Sequence, residues 1–316
     1  MSGYPALASK FQRPSLQMFR IFLAGLFAAV ALQSYAQEWT ATQIEEQLGA
    51  PAREIKDGKR GVSAPLEDAV EHVWLEQPTE IYPHGVFGEP QEYDRLHAKL
   101  RDGTSLSTYA LFNTVFEERL PRLADLDLDG TSEIVVSMSD FDLGASVAVF
   151  GIRDGALKLL AQTPYIGLAN RWRNVAGIAD FDGDGNLQIA EVVTPHIGGT
   201  LRFWTWKSGS LVPTAQEFGF SNHAYGSPEQ RLSAIEDFDG DGVEDLAVPG
   251  ADRRSVKLMK FSGPANGEKT LELLAEIPLP AEIDRPLVSQ HSNGEVSVRV
   301  GLRNGTVWKI HKQQSQ

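Results

Sequence analysis

Short runs of alternating apolar and polar residues recur along the chain, as in Val147-Ala148-Val149-Phe150, Leu201-Arg202-Phe203-Trp204-Thr205-Trp206 and Val256-Lys257-Leu258-Met259-Lys260-Phe261. A period of two sends successive side chains to opposite faces of a sheet, so each run predicts a strand rather than a helix. A second apolar stretch precedes each run: Ile134-Val135-Val136, Ile189-Ala190-Glu191-Val192-Val193 and Asp245-Leu246-Ala247-Val248. Asp154-Gly155, Ser208-Gly209 and Ser262-Gly263 then close the next hairpin. The unit reads as strand, acidic loop, strand, loop, strand, hairpin, strand.

The acidic loops define the repeat. They are Leu123-Ala124-Asp125-Leu126-Asp127-Leu128-Asp129-Gly130, Ile178-Ala179-Asp180-Phe181-Asp182-Gly183-Asp184-Gly185 and Ile235-Glu236-Asp237-Phe238-Asp239-Gly240-Asp241-Gly242. Asp125, Asp180 and Asp237 lie 55 and 57 residues apart. A fourth copy, with Gln290-His291-Ser292-Asn293-Gly294 as its loop, continues through Val296-Ser297-Val298-Arg299-Val300 and Thr306-Val307-Trp308-Lys309-Ile310. Upstream, Leu96 to Leu100, Arg101-Asp102-Gly103 and Thr108 to Phe112 form a hairpin. A period of this length predicts an all-β fold, a β-propeller of four-stranded blades over residues 67–316, whose early strands complete the last blade and remove its open edge. The length after the leader corresponds to about five blades.

The first residues read differently. Lys10, Arg13 and Arg20 precede an apolar run from Ile21 to Leu32, and small residues stand at Ser34 and Ala36. A basic region, a short apolar core and small residues at −3 and −1 predict a signal peptide over 1–36, hence an exported protein, periplasmic or secreted. The run of 12 residues is short of the roughly 20 that a spanning helix needs. Residues 37–66 then read as an N-terminal extension: Thr42-Gln43-Ile44-Glu45 has a capping-box pattern, Ile44 and Leu48 stand four apart, and Gly49-Ala50-Pro51 ends the run, which predicts a short helix and a linker.

Charge and cysteine narrow the chemistry. The chain carries a net charge of −13, and residues 1–36 hold three cations and no anion, so the remainder carries −16. That balance disfavours nucleic acid and anionic membranes as partners. There is no cysteine, which closes disulfide stapling and lipoprotein anchoring. Clustered carboxylates instead suit a cation. Three aspartates at alternate positions wrap oxygens around one point, and the glycine permits the sharp turn; the next residue offers a carbonyl and a later carboxylate completes a Ca²⁺ shell. The expected ligands are Asp125, Asp127, Asp129, the Thr131 carbonyl and Glu133; Asp180, Asp182, Asp184, the Asn186 carbonyl and Gln188; and Asp237, Asp239, Asp241, the Val243 carbonyl and Asp245. The neutral Gln188 makes the second set the weakest. An EF-hand loop requires a glutamate at position 12, which only the second loop supplies, at Glu191; β-branched flanks argue against it throughout.

On these residues the chain resembles FG-GAP (VCBS-type) repeats, as in the propeller of integrin α subunits, and uncharacterised exported proteobacterial proteins carrying them. The resemblance spans about residues 110–310. It implies a propeller with calcium loops and no particular reaction.

Strand alternation also sorts the loops. If the acidic loops lie at one end of the blades, the remaining crossovers lie at the other, and these carry Glu117, Asn170, Arg171, Trp172, His196, Asn222, His223 and Tyr225. Aromatic, amide and charged side chains around one mouth predict a polar ligand, a glycan or a protein. No complete catalytic motif is present: Gly219-Phe220-Ser221-Asn222-His223 lacks the closing glycine of a nucleophile elbow. The expected function is therefore that of a binding or scaffolding module. The alternative is a carbohydrate-active hydrolase or lyase built on Glu117, Asp140, Arg171, His196 and His223.

Overall fold

Every described residue in regular structure is in a strand, and the strands are antiparallel throughout. The computed structural model describes residues 39–46, 48, 61–65, 67–264, 269–292 and 294–313, so the expected signal peptide and most of the expected linker lie outside the described residues. Gln37–Gln316 forms one unit by its internal contacts. Among the described residues no helix is long and apolar enough to cross a membrane.

The first strand, β1 (Trp39–Ile44), leaves its chain neighbours and joins the far end of the chain. Next come β2 (Gly61–Ser63), β3 (Val70–Thr79), β4 (Glu92–Leu100) and β5 (Ser105–Tyr109), which pair in sequence order. Then β6 (Thr114–Phe116) and β7 (Arg122–Ala124) both pair β8 (Glu133–Asp140), followed by β9 (Gly144–Arg153) and β10 (Ala156–Gln162). One bridge, Tyr93↔Phe116, joins these two meanders into a nine-stranded sheet. The third set is β11 (Arg173–Ala179), β12 (Gln188–Val193), β13 (Gly199–Lys207) and β14 (Ser210–Phe220). The fourth is β15 (Ala234–Glu236), β16 (Asp245–Pro249), β17 (Ser255–Ser262) and β18 (Thr270–Pro278). Last come β19 (Ile283–Ser292), β20 (Glu295–Leu302) and β21 (Val307–Lys312), with β1 on the edge of β21 as the fourth strand.

The expected short helix at Thr42–Leu48 is corrected here: Thr42 to Ile44 are strand, paired with Lys309 to Val307. A backbone edge on β21 offers each of these residues a ladder partner, which an isolated helical turn cannot match. Trp39 adds an edge-to-face contact with Phe238 at 5.7 Å.

Apolar residues fill the spaces between successive sheets. Ile134, Val136 and Met138 of β8 pack with Val73, Leu75 and Leu96, whereas Val135 of the same strand packs with Val175, Ile189 and Trp206. Both faces of β8 are thus covered, which explains its nearly unbroken apolar run. The residue after the first aspartate of each acidic loop is a buried plug: Leu126, Phe181 and Phe238 are 3%, 1% and 0% exposed. Each plug fastens its loop to the core, so the carboxylates beside it are held in a fixed frame.

Candidate functional site

The three acidic loops occupy equivalent places: after β7, β11 and β15 and before β8, β12 and β16. The first aspartate serves the backbone, as when Asp125 accepts from the N–H groups of Asp129 and Gly130 at 2.9 and 2.8 Å. Asp180 and Asp237 repeat this with Asp184 and Gly185, and with Asp241 and Gly242. The third aspartate turns the chain by accepting the N–H two residues on: Thr131 to Asp129, Asn186 to Asp184 and Val243 to Asp241. The second strand opens with a side chain that accepts the plug's N–H: Glu133 from Leu126, Gln188 from Phe181 and Asp245 from Phe238.

Oxygens converge as a result. Asp125, Asp127 and Glu133, then Asp180, Asp182 and Asp184, then Asp237, Asp239 and Asp245 each bring one carboxylate oxygen within 4.8 Å of the others. A set made wholly of hard oxygen donors fits a divalent cation such as calcium. The three loops differ in what already balances them. Arg153 Nη2 donates to Asp127 at 2.7 Å and to Glu133 at 3.3 Å. Lys260 Nζ donates to Asp239 and lies 3.5 Å from Asp241. In the second loop the Gln188 amide donates to Asp182 at 2.9 Å and to the Asn186 carbonyl at 3.0 Å, two of the groups expected to hold an ion. Burial pushes the carboxyls of Glu133 and Asp245 up to about 7, with Asp127 and Asp239 adding to the effect.

The opposite end carries the other expected residues, and the structure separates them. Glu117 is fully buried where β6 breaks off before β7, accepting from His84 Nδ1 at 2.6 Å and from Ser139 Oγ. Trp172 is buried too, its indole N–H donating to the Glu117 carbonyl at 2.9 Å and its ring stacked 5.9 Å from His196. Asn222 exchanges hydrogen bonds with Asn174 and is sealed from solvent. Asn170 is exposed with φ 55°, and Arg171 folds back onto its carbonyl. Asp140 accepts from the Asn113 amide and from the N–H groups of Asp142 and Leu143. Glu117, Asp140, Arg171, His196 and His223 therefore make no single cluster of hydrogen bonds; only His196 and His223 touch.

Those two imidazoles define their own protonation. His223 Nε2 lies 2.8 Å from the Ser227 carbonyl, which only accepts, so that nitrogen carries the proton. Burial pushes the His223 pKa down to about 3, with His196 adding to it, so the ring is neutral and its Nδ1 is a bare acceptor. His196 Nε2, 2.8 Å away, must then be the donor. Burial, His84 and Arg253 hold His196 down to about 4. A neutral His196 with its proton on Nε2 leaves Nδ1 as a lone pair.

Beside it lies a cleft of about 410 Å³ lined by His196, Tyr225, Arg253, Glu282, Asp284 and Arg303, among others. Tyr225 is 61% exposed, yet its hydroxyl is tied to the His84 carbonyl at 2.7 Å. Arg253, at φ 55°, donates to Ser221 Oγ at 3.1 Å and to Glu282 Oε2 at 3.2 Å, and Arg303 reaches the same oxygen at 3.1 Å. His196 and Tyr225 are expected at this end from the sequence, whereas Glu282 and Arg303 are not. Glu282 and Arg303 flank the strands of the fourth copy, whose loop lacks carboxylates and so carries no such signal in the sequence.

A buried polar belt runs beneath this end. Glu118 accepts from the N–H groups of Arg119 and Leu120, from that of Ser137 and from the Gln230 amide, and Gln230 returns its oxygen to Arg119 N–H. Glu92, from β4, is 0% exposed and neither of its oxygens has a hydrogen-bond partner. Burial, then Glu117, push its carboxyl up to about 10.

No family model matches this chain, and no curated protein matches it. Among solved structures it is similar to the exotype rhamnogalacturonan lyase YesX, at 15% identity and a TM-score of 0.44, over 83% of this chain. The match spans 57% of that protein's length. A likeness of this degree carries neither fold nor chemistry across.

Proposed function

We propose that this chain is an exported calcium-binding β-propeller of about five four-stranded blades, of the FG-GAP (VCBS-type) kind, acting as a binding or scaffolding module for a glycan or a protein. One observation carries the binding role. Loops from three successive strand sets, holding His196, Tyr225 with Arg253, and Glu282 with Arg303, line one cleft at the end away from the acidic loops. The meanders of four strands, and β1 completing the last of them, support the blade reading. The three oxygen clusters support calcium.

Calcium is tested on the second loop. Gln188→Ala removes the acceptor of Phe181 N–H and the donor to Asp182. It is expected to cost about 2 kcal/mol whether or not calcium is present. Gln188→Glu trades a donor for a fourth negative group, so its melting temperature is expected to fall in chelator and recover in millimolar calcium. A melting curve of Gln188→Glu that ignores calcium would remove the metal from this reading.

The binding role is tested by retention of the chain from Gln37 onward on immobilised glycans and secreted proteins. Tyr225→Ala and Arg253→Ala are expected to abolish retention, while Asp129→Asn, at the other end, keeps it. The reverse pattern would put the ligand on the wrong face. A carbohydrate-active hydrolase or lyase is the second reading, in which the bare Nδ1 of His196 would accept the proton in the cleft that Arg253 also lines. Release of shortened or unsaturated glycan by the purified chain, lost in His196→Gln, would decide for it.

A further inference from the structure

The cleft between His196 and Arg303 is specific enough in its hydrogen-bonding state to indicate the class of ligand. Its cations are already committed: Arg253 and Arg303 both donate to Glu282 Oε2, at 3.2 and 3.1 Å. Asp284 stands beside them with Arg285 Nε at 3.8 Å. An anionic ligand would have to displace Glu282 and face Asp284 as well; a cation would meet the two guanidinium groups. Three guanidinium groups, Arg253, Arg285 and Arg303, face two carboxylates, but each of these charges already has an opposite partner within the wall, which suits a neutral guest.

What it has left to offer is polar but uncharged. His196 Nδ1 is an acceptor by the tautomer chain from Ser227 through His223, and no hydrogen bond occupies it. Against His196 stands the Tyr225 ring. The bond from its hydroxyl to the His84 carbonyl fixes the ring, and His196 abuts it edge-on at 5.3 Å and 84°. Arg253 itself sits at φ 55°, a left-handed conformation that costs a non-glycine residue roughly 1 kcal/mol and that surrounding structure must enforce. A fixed exposed aromatic ring and a fixed lone pair complement a ring that has a C–H face and a hydroxyl that donates.

We propose that this cleft is a subsite for a neutral sugar residue, which lies on the Tyr225 ring and donates one hydroxyl to His196 Nδ1. The assignment rests on the ligand-face reading above and sharpens it, from a glycan or protein partner to an uncharged sugar. A peptide would seek main-chain edges or charge complementarity, and the wall provides neither.

The test compares neutral hexasaccharides (mannohexaose, xylohexaose and cellohexaose) with hexagalacturonate, by saturation-transfer NMR and calorimetry on the chain from Gln37 onward. At least one neutral probe is expected to bind more tightly than the acidic one. Tyr225→Ala is expected to weaken it about tenfold. Tyr225→Phe keeps the ring and loses only its anchor, so it is expected to stay within about threefold and to show that the ring, not the fold, is responsible. Preference for hexagalacturonate, indifference to Tyr225→Ala, or no saccharide binding at all would each overturn the assignment. The ligand face itself fails separately, if partner retention survives Tyr225→Ala and Arg253→Ala.

Discussion

Glu92→Gln is expected to raise the melting temperature at pH 8 and to leave it nearly unchanged at pH 4. Glu92 is fully buried with both oxygens unpartnered, and burial together with Glu117 pushes its carboxyl up to about 10. A group in this position keeps its proton in the folded chain and releases it near pH 4.5 in the unfolded one. The unfolded chain therefore binds fewer protons from there upward, and the fold loses stability as pH rises toward 10. At pH 7 the penalty is on the order of 3 kcal/mol. A neutral amide removes the titration and leaves volume unchanged. At low pH both side chains are neutral and the difference closes. Melting curves across that range check this, and an equal shift at both ends would show that packing, not charge, separates the variants.

Arg173→Met is expected to destabilise the fold by about 3–5 kcal/mol. Arg173 is 1% exposed and Glu191 0%, and the guanidinium donates to both Glu191 oxygens at 2.9 and 3.1 Å. It also donates to Thr163 Oγ1 at 2.7 Å and to the Pro164 carbonyl at 3.0 Å, tying the loop before β11 to β12. Removing the cation strands an anion in the interior, where only the Trp204 indole N–H still reaches it, at 2.8 Å. The loss comes from that stranded charge more than from the pair's net attraction. Arg173→Met combined with Glu191→Gln is accordingly expected to recover more than half of the loss in denaturant unfolding. A double variant no better than the single one would locate the cost in packing around Arg173.

The strands were legible because their evidence is local. Val135 and Val149 announce sheet positions through their own neighbours in sequence, and the aspartates of the loops count out their spacing within eight residues. Thr42 to Ile44 were misread for the opposite reason: the capping pattern is local, but the edge that decides their conformation is β21, and Thr42 meets His311 across 269 residues. Trp172 drew attention as a large aromatic among polar neighbours, yet the Glu117 carbonyl that takes its N–H comes from 55 residues earlier and draws it inside. Glu92, Glu117 and Glu118 lie on two segments that only pairing of β4 with β6 brings together. No spacing rule in one sequence marks such a cluster. The partner of His84 likewise stands 33 residues on.

The bonding of β1 to β21 has a consequence for biosynthesis. Among the described strands, β1 has no partner in its sheet until β21 is made, so that sheet cannot assemble from either end alone. Contacts this remote in sequence slow folding, and the unfinished edge stays open to other chains while synthesis proceeds. Clipping the chain before Val307 would cost more than one strand: residues 39–44 would lose their ladder, and Phe238 the tryptophan that covers it.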